Sequence, residues 1–219
     1  IVFQLITLII VAVIPPISSL SLFYQSVISQ FAFCEMRNSC YICLMRKHNG
    51  MRPQDIAILL KIIALKDQHW QLASLSNALR ISISEISESL NRSQFAGLID
   101  NQKKHINRQN LLEFLEHGVR YVFPQQPGAM LRGVSTAHSH PFMKNAFISD
   151  TNYVWPANFG DTLGLSIEPF YPKQPDGAIE DQKYYLLLAL VDVIRVGKVR
   201  EVKHAALELK KIILDESPN

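Results

Sequence analysis

Two histidines in the segment RGVSTAHSHPF have the type and spacing of metal ligands. His138 and His140 form a His-x-His pair, which can bind one ion if a strand places both rings on the same face. The neighbouring sequence supplies no cysteine and no cluster of carboxylates, although Asp150 is close in the chain. We therefore interpret the two histidines as structural or solvent-exposed residues and expect no metal there.

The cysteines form a second candidate metal set. Cys34, Cys40 and Cys43 together with His48 would supply the four ligands of a zinc ion, and the set includes a Cys-x-x-Cys pair. Their spacing fits no common zinc motif and the surrounding sequence is apolar, which favours free thiols. The rest of the chain has no cysteine, which favours an intracellular protein without a disulfide framework.

Motifs for catalysis are missing from the sequence. It has no Ser-His-Asp order, no glycine-rich phosphate loop and no paired carboxylates in a catalytic pattern. Its 219 residues are 48% hydrophobic and 19% charged, which is typical of a globular protein with one large or two small domains. We therefore predict a protein that is not an enzyme and uses no cofactor.

Two short helices joined by a tight turn are predicted between residues 70 and 98. Apolar residues recur at three- and four-residue intervals and give each helix one buried face; they are Leu72, Leu75 and Leu79 in the first helix, and Ile86 and Leu90 in the second. Ser82 followed by Glu85 is a capping box that starts the second helix. Such a pair is a helix-turn-helix, whose second helix can enter the major groove of DNA.

This stretch resembles the winged helix-turn-helix of bacterial transcription regulators of the MarR type. The matching residues are Leu75, Leu79, Ser82, Ile86, Ser87, Leu90, Arg92, Ala96, Gly97 and Leu98. Three positions depart from the pattern: Ser76 replaces a small alanine, Ser93 replaces an apolar residue, and Arg80 stands where glycine often adopts a left-handed turn. The alternative is an ordinary helical hairpin in a protein core.

The resemblance implies that the second helix, at about residues 83–95, contacts DNA. Its candidate DNA-binding residues are Ser82 at the helix start and the side chains predicted on the outer face, Ser84, Ser87, Glu88, Asn91 and Arg92. The polar turn at residues 98–106 is predicted as a hairpin wing, and the cations expected to bind phosphate are Lys103, Lys104 and Arg108. Glu85 and Glu88 would repel phosphates, and a net charge of +3 is only weak evidence for nucleic acid.

The first fifty residues differ in composition from the remainder. Residues 1–33 are uncharged and strongly apolar, but the run at 1–14 is short for a membrane span and is followed by Pro15 and Pro16. Because the chain begins with Ile, we interpret residues 1–50 as a non-native extension, with Met51 or Met45 as the start. The alternative is a membrane anchor with the nearby basic residues on the cytoplasmic side.

Residues 51–118 are predicted as a winged helix-turn-helix domain and residues 119–219 as an α/β region. The other predicted helices are residues 53–66, 107–118, 181–196 and 199–214, and the predicted strands are 120–123 and 163–167. The helix at 181–196 is apolar nearly all round, as in a core or a subunit interface. The predicted fold class is therefore mainly α with a small β component (α+β), with a loop-rich C-terminal region that ends in two helices.

These features predict a cytoplasmic bacterial transcriptional regulator that binds double-stranded DNA as a homodimer. Its C-terminal region would stabilise the protein, form the dimer or sense an effector. Such an effector is either a small molecule or another protein. The alternative from another class is a protein-interaction module that uses a winged-helix scaffold without DNA binding, and the weak net charge and two glutamates favour it. A third interpretation is a membrane-tethered regulator that uses residues 1–33.

Overall fold

The computed structural model describes residues 50–66, 70–146 and 151–214. The apolar segment 1–33, the four candidate zinc ligands and Asp150 lie outside the described residues. The described residues form one compact unit, built mainly from helices with one three-stranded sheet. The predicted α+β fold class is therefore confirmed, whereas the division into domains at residue 118 stays a prediction.

Helices α1 (Pro53–Ala64), α2 (Leu72–Leu79) and α3 (Ile83–Phe95) lie where the sequence predicts them. Proline occupies the first position of α1, where its missing amide hydrogen costs no hydrogen bond. Ser82 caps α3, because its hydroxyl accepts a hydrogen bond from the Glu85 amide at 3.3 Å. The three helices pack on one another through their apolar faces.

Arg80 occupies the turn between α2 and α3 in the left-handed region, with φ of 56° and ψ of 36°. A residue with a Cβ atom is destabilised there by roughly 1–2 kcal/mol. Two ion pairs oppose this strain, since the guanidinium lies 3.0 Å from both Asp176 and Glu180. Arginine is therefore accommodated in a left-handed turn, a conformation that favours glycine.

The helix that follows continues beyond its predicted end. α4 (Arg108–Glu113) passes through a π-helical turn (Phe114–Gly118) into α5 (Val119–Val122). The predictions of a helix end at Gly118 and of a strand at 120–123 are wrong. Leu111, Leu115 and Val119 recur every four residues and are fully buried, so the apolar face of the helix continues through the glycine.

Strands β1 (Met130–Thr136), β2 (Tyr153–Pro156) and β3 (Thr162–Ser166) form the sheet. β1 pairs antiparallel with both other strands, and β2 pairs in parallel with β3, so the three strands close on themselves. The predicted strand at 163–167 is confirmed with a shift of one residue. A Cβ atom at Gly133 would overlap the carbonyl group of Trp155, so this crossing of strands requires glycine.

Helices α6 (Pro141–Lys144), α7 (Gln174–Glu180), α8 (Gln182–Val196) and α9 (Val199–Ile213) complete the described chain. The Asp181 carboxylate starts α8 by accepting from the amides of Lys183 and Tyr184 at 3.0 and 3.1 Å. α8 is buried almost all round because α1, α5, α7, α9 and the sheet pack against it. The two predicted terminal helices are confirmed, and no helix within the described ranges is long and apolar enough to cross a membrane.

A buried carboxylate attaches α8 to the sheet. Asp192 is fully buried and accepts hydrogen bonds from Thr136 and Trp155 at 2.8 and 2.7 Å. Arg195, one turn later, donates to the other carboxylate oxygen at 2.8 Å. Burial raises the pKa of Asp192, while the arginine and the two donors oppose that shift. The side chain is therefore satisfied inside the fold and holds helix and sheet in register.

Candidate nucleic-acid interface

Four residues of α3 form an outward stripe that we call the reader stripe. Ser84, Ser87 and Asn91 follow one another at three- and four-residue spacing, and Phe95 continues the same face one turn later. Ser84 and Asn91 are exposed, Ser87 is half-buried, and Phe95 is 77% exposed. Hydroxyl and amide groups can bond to base edges in a major groove, and an aromatic ring can contact the thymine methyl group.

Arg92 lies on a different face of α3 from the one predicted. The prediction of an outward side chain is wrong, since only 7% of it is exposed. Its Nε and Nη2 atoms donate to the carboxylate of Asp55 at 2.9 and 2.7 Å. Asp55 is fully buried and also accepts from the Arg52 amide at 2.8 Å. The hydrogen bond with Asp55 raises the pKa of Arg92 further, so a charged guanidinium holds α3 against α1.

The two glutamates of α3 lie beside this buried pair. Glu85 accepts from Gln54 at 2.7 Å and lies 3.7 Å from the guanidinium of Arg52. Glu88, a predicted DNA contact, is 43% exposed and lies 3.7 Å from Arg92. Each carboxylate therefore has a cation of its own chain nearby, which weakens the repulsion of phosphates that the sequence predicts.

The segment after α3 forms a small hairpin. Ile99 and Ile106 pair as an antiparallel bridge, and the Asp100 amide donates to the His105 carbonyl at 2.9 Å. The Asp100 carboxylate accepts from the amides of His105 and Lys104 at 3.0 and 2.6 Å, and these hydrogen bonds lower its pKa. An ionised Asp100 therefore organises the tip that carries the two lysines.

Lys103 connects this hairpin to the reader stripe. Its backbone is left-handed, with φ of 56°, and its Nζ atom donates a hydrogen bond to Oδ1 of Asn91. Lys104 follows directly and is exposed. Two cations predicted to bind phosphate therefore lie next to polar groups suited to base edges.

A groove of about 900 Å³ lies between α3 and the hairpin. Its walls come from the end of α1, residues 70–73, α3, and residues 102–106 with Arg108. Of the described residues that line it, none is acidic and the basic ones are Lys66, Lys103, Lys104 and Arg108. Low-dielectric walls with charges of one sign concentrate the field and attract anions.

Ser82 and Arg108, the remaining predicted site residues, have structural partners. Besides capping α3, the Ser82 hydroxyl lies 3.1 Å from that of Ser84. Arg108 is half-buried, and its Nη1 atom donates to the Ile213 carbonyl at 2.9 Å at the end of α9. A cation is favourable at a helix C-terminus, so Arg108 contributes to the fold as well as to the groove wall.

His138 and His140 lie in the interior, each 6% exposed, with the ring of His138 against Tyr153 and that of His140 against Tyr185. The Nδ1 atom of His140 accepts from the Phe142 amide at 3.2 Å, so Nε2 of the neutral ring carries the proton and offers no lone pair to a metal. Nε2 of His138 lies 3.0 Å from the Thr151 carbonyl, which fixes its proton on that atom. No group of three or more His, Cys, Asp or Glu residues within the described ranges is placed to hold a metal ion.

Sequence reasoning missed three residues of this surface. Lys66 and Trp70 lie before the helix pair and reach the groove only through the packing of α1. Phe95 is at helical spacing from Asn91, but an aromatic residue is ordinarily assigned to the core.

Comparisons with protein-family models, curated proteins and solved structures found no match to this chain.

Proposed function

We propose that the protein is a sequence-selective DNA-binding protein, a transcriptional regulator in which α2, α3 and the hairpin act as a winged helix-turn-helix. The observation that carries the proposal is the hydrogen bond from Lys103 to Asn91, which sets a cation of the hairpin beside the outward face of α3. Base edges and phosphates are adjacent along a duplex, so an interface needs both kinds of group side by side.

In the proposed complex, α3 lies in the major groove with the reader stripe on base edges. The amide of Asn91 is suited to adenine, the hydroxyls of Ser84 and Ser87 to donors or acceptors, and Phe95 to a thymine methyl group. Lys103 and Lys104 each bind a phosphate and contribute affinity that falls with salt. Arg92 has no part in base recognition, because it is bound to Asp55. Bound at a promoter, the protein would block or recruit polymerase.

A homodimer stays part of the proposal, because a two-fold pair would present two α3 helices to a palindromic site. The sequence based this expectation on the apolar helix α8, which the fold buries inside its own chain. Another surface must therefore supply the interface. α9 offers Val199 and Leu207, which are 70% and 59% exposed and share one face of that helix.

The test is selection of fragments from random genomic DNA by the full chain, at low and at moderate salt. Enrichment of one short, roughly palindromic sequence is expected. The double variant Lys103→Ala, Lys104→Ala should bind more weakly and flatten the log–log salt dependence by about two units, one for each lost phosphate contact. The control, Lys144→Ala with Lys173→Ala, removes two exposed lysines that lie outside α3, the hairpin and α9, and should leave that slope unchanged.

Failure to retain DNA even at low salt would overturn the proposal. The second candidate function is then a protein-interaction module on the same scaffold. It is favoured by Phe95, whose 77% exposure next to Glu88 and Asn91 provides an apolar anchor with a polar rim. Under that function, Phe95→Ala would abolish partner binding. The variant Lys103→Ala, Lys104→Ala would leave partner binding unchanged.

A further inference from the structure

The groove beside α3 has an apolar floor that contact with a duplex does not use. Ile62, Ile63 and Leu90 lie at its base with exposures of 5%, 4% and 2%, and Trp70 and Ile106 flank them half-buried. A duplex presents a polar sugar–phosphate surface and stacked bases, which cannot fill such a space. The volume of about 900 Å³ lies within the roughly 300–1,000 Å³ of small-molecule sites.

The aromatic and charged groups of the groove limit what can occupy it. Trp70 lines the groove and packs partly buried against the core. An indole is a group on which a flat heterocycle can stack, a contact that every nucleobase can make. Lys103 and Lys104 line the same space from the hairpin. A single carboxylate would match one of these two cations, whereas adjacent phosphate groups match both.

We infer that this groove binds a nucleotide, with the base against Trp70 and the apolar floor and the phosphate groups on Lys103 and Lys104. The nucleotide is either a free one or an unpaired nucleotide of a DNA strand, which present the same chemistry. The inference goes beyond the proposed reading of duplex DNA and does not depend on it. Of the reader stripe, Ser87 also lines the groove, whereas Ser84, Asn91 and Phe95 are not among its lining residues. The base would lie beneath the hairpin.

Binding would also affect the hairpin itself. Lys103 donates to Asn91 in the structure, so phosphate groups that attract its Nζ atom compete with that hydrogen bond. A nucleotide in the groove would therefore release Asn91 from the hairpin. If the protein reads duplex DNA, occupancy of the groove changes its affinity for its site.

The test uses the intrinsic fluorescence of the full chain. Its two tryptophans are Trp70, at the groove, and Trp155, which is fully buried, so a ligand in the groove quenches only the first. Excitation at the red edge of the indole band limits absorption by the ligand. The probes are ATP, AMP, pyrophosphate, a short oligothymidylate strand, a blunt duplex and an aliphatic carboxylate. Saturable quenching by ATP, by the single strand or by both is expected.

The set of probes that bind identifies whether the nucleotide is a free one or an unpaired nucleotide of a DNA strand. Quenching by ATP alone assigns a free nucleotide, and quenching by the single strand alone assigns an unpaired nucleotide of DNA. Pyrophosphate that binds as tightly as ATP would overturn the inference in favour of a simple anion site. Tighter binding of the aliphatic carboxylate, or binding of none of the probes, would also overturn it. The blunt duplex reports separately on the proposed function.

Variants locate the site, with affinity measured by calorimetry because the indole is removed. Trp70→Ala should weaken nucleotide binding roughly 5- to 140-fold, the range for a lost base–aromatic stack, and Trp70→Phe should retain much of the affinity. Lys103→Ala with Lys104→Ala should weaken ATP more than AMP, whereas Lys203→Ala with Lys210→Ala should change neither. The emission of buried Trp155 verifies that each variant is folded. Equal ATP affinity in wild type and Trp70→Ala would refute the assignment.

Discussion

Substitution of Arg92 separates a contact with DNA from a contact within the fold. The sequence places this arginine among the residues that bind DNA, and loss of one base contact would cost about 1–3 kcal/mol of binding free energy. In the structure its guanidinium makes two hydrogen bonds to Asp55, and the exposures of the two side chains are 7% and 0%. We therefore expect Arg92→Ala to reduce folding stability, with weaker DNA binding only as a consequence of unfolding.

The magnitude follows from what the substitution leaves behind. Removing one partner of a buried ion pair costs about 3–5 kcal/mol, because the remaining charge stays out of water. Asp55 keeps its hydrogen bond from the Arg52 amide at 2.8 Å, so the lower end, about 3 kcal/mol, applies to Arg92→Ala. Adding Asp55→Asn removes the stranded charge and should restore about 1–2 kcal/mol.

The assay is urea unfolding followed by the emission of the buried Trp155 and by far-ultraviolet circular dichroism. A matched control is Lys211→Ala, whose ion pair with Glu208 has a similar distance, 2.7 Å, but whose side chain is 55% exposed. That variant should lose less than about 1 kcal/mol, since solvent screens an exposed pair. The comparison isolates burial as the cause of the difference.

One result would refute this reasoning. If Arg92→Ala unfolds at the wild-type urea concentration and yet loses sequence-selective DNA binding, its side chain faces the nucleic acid and the pair with Asp55 does not stabilise the fold.

Two further predictions concern strain and titration. Arg80→Ala and Arg80→Gly both lose the ion pairs with Asp176 and Glu180, but only alanine keeps a Cβ atom at φ of 56°, so the glycine variant should be more stable by about 1 kcal/mol in urea unfolding. Equal stability of the two variants would argue against backbone strain. Burial lowers the pKa of His140 from its ordinary 6.5 to about 4, so the unfolded chain binds the extra proton between these values. Stability should therefore fall as the pH decreases from 6.5 to 4, by at most about 1.4 kcal/mol per pH unit. The variant His140→Gln cannot titrate at this position and should lose less folding stability between about pH 7 and about pH 5. An unchanged loss of stability would assign the acid sensitivity to another group.

Several predictions that depend on near neighbours in the chain agree with the fold. The hydroxyl of Ser82 caps α3 through the amide of Glu85 three residues away, so the sequence itself contains both partners. The apolar spacing that predicts α8 and α9 likewise repeats within a few residues. The prediction of a strand at 120–123 is wrong. The aromatic and β-branched residues of this segment suit a strand, but the packing of Val119 with Leu111 and Leu115 extends the helix instead.

The candidate interface depended on contacts between distant residues. Whether Arg92 faces solvent or protein depends on Asp55, 37 positions earlier, and the partner of Arg108 is Ile213, 105 positions later. An arginine on a helix has the same local pattern in either environment, so spacing alone could not distinguish them. Spacing could not predict the groove either, because its lining comes from four separate segments of the chain.

The sequence by itself determined helices α1, α2, α3, α8 and α9, the cap at Ser82, the turn before α3 and the presence of lysines in the following hairpin. These features arise from hydrogen bonds and apolar repeats that span one or two helical turns. Only the tertiary structure decided which polar side chains of α3 remain available, because burial depends on which helix packs on which face. The contact of Lys103 with Asn91 and the cavity under the hairpin exist only after α1, α3 and the hairpin are brought together. Both proposals for this protein depend on that assembly.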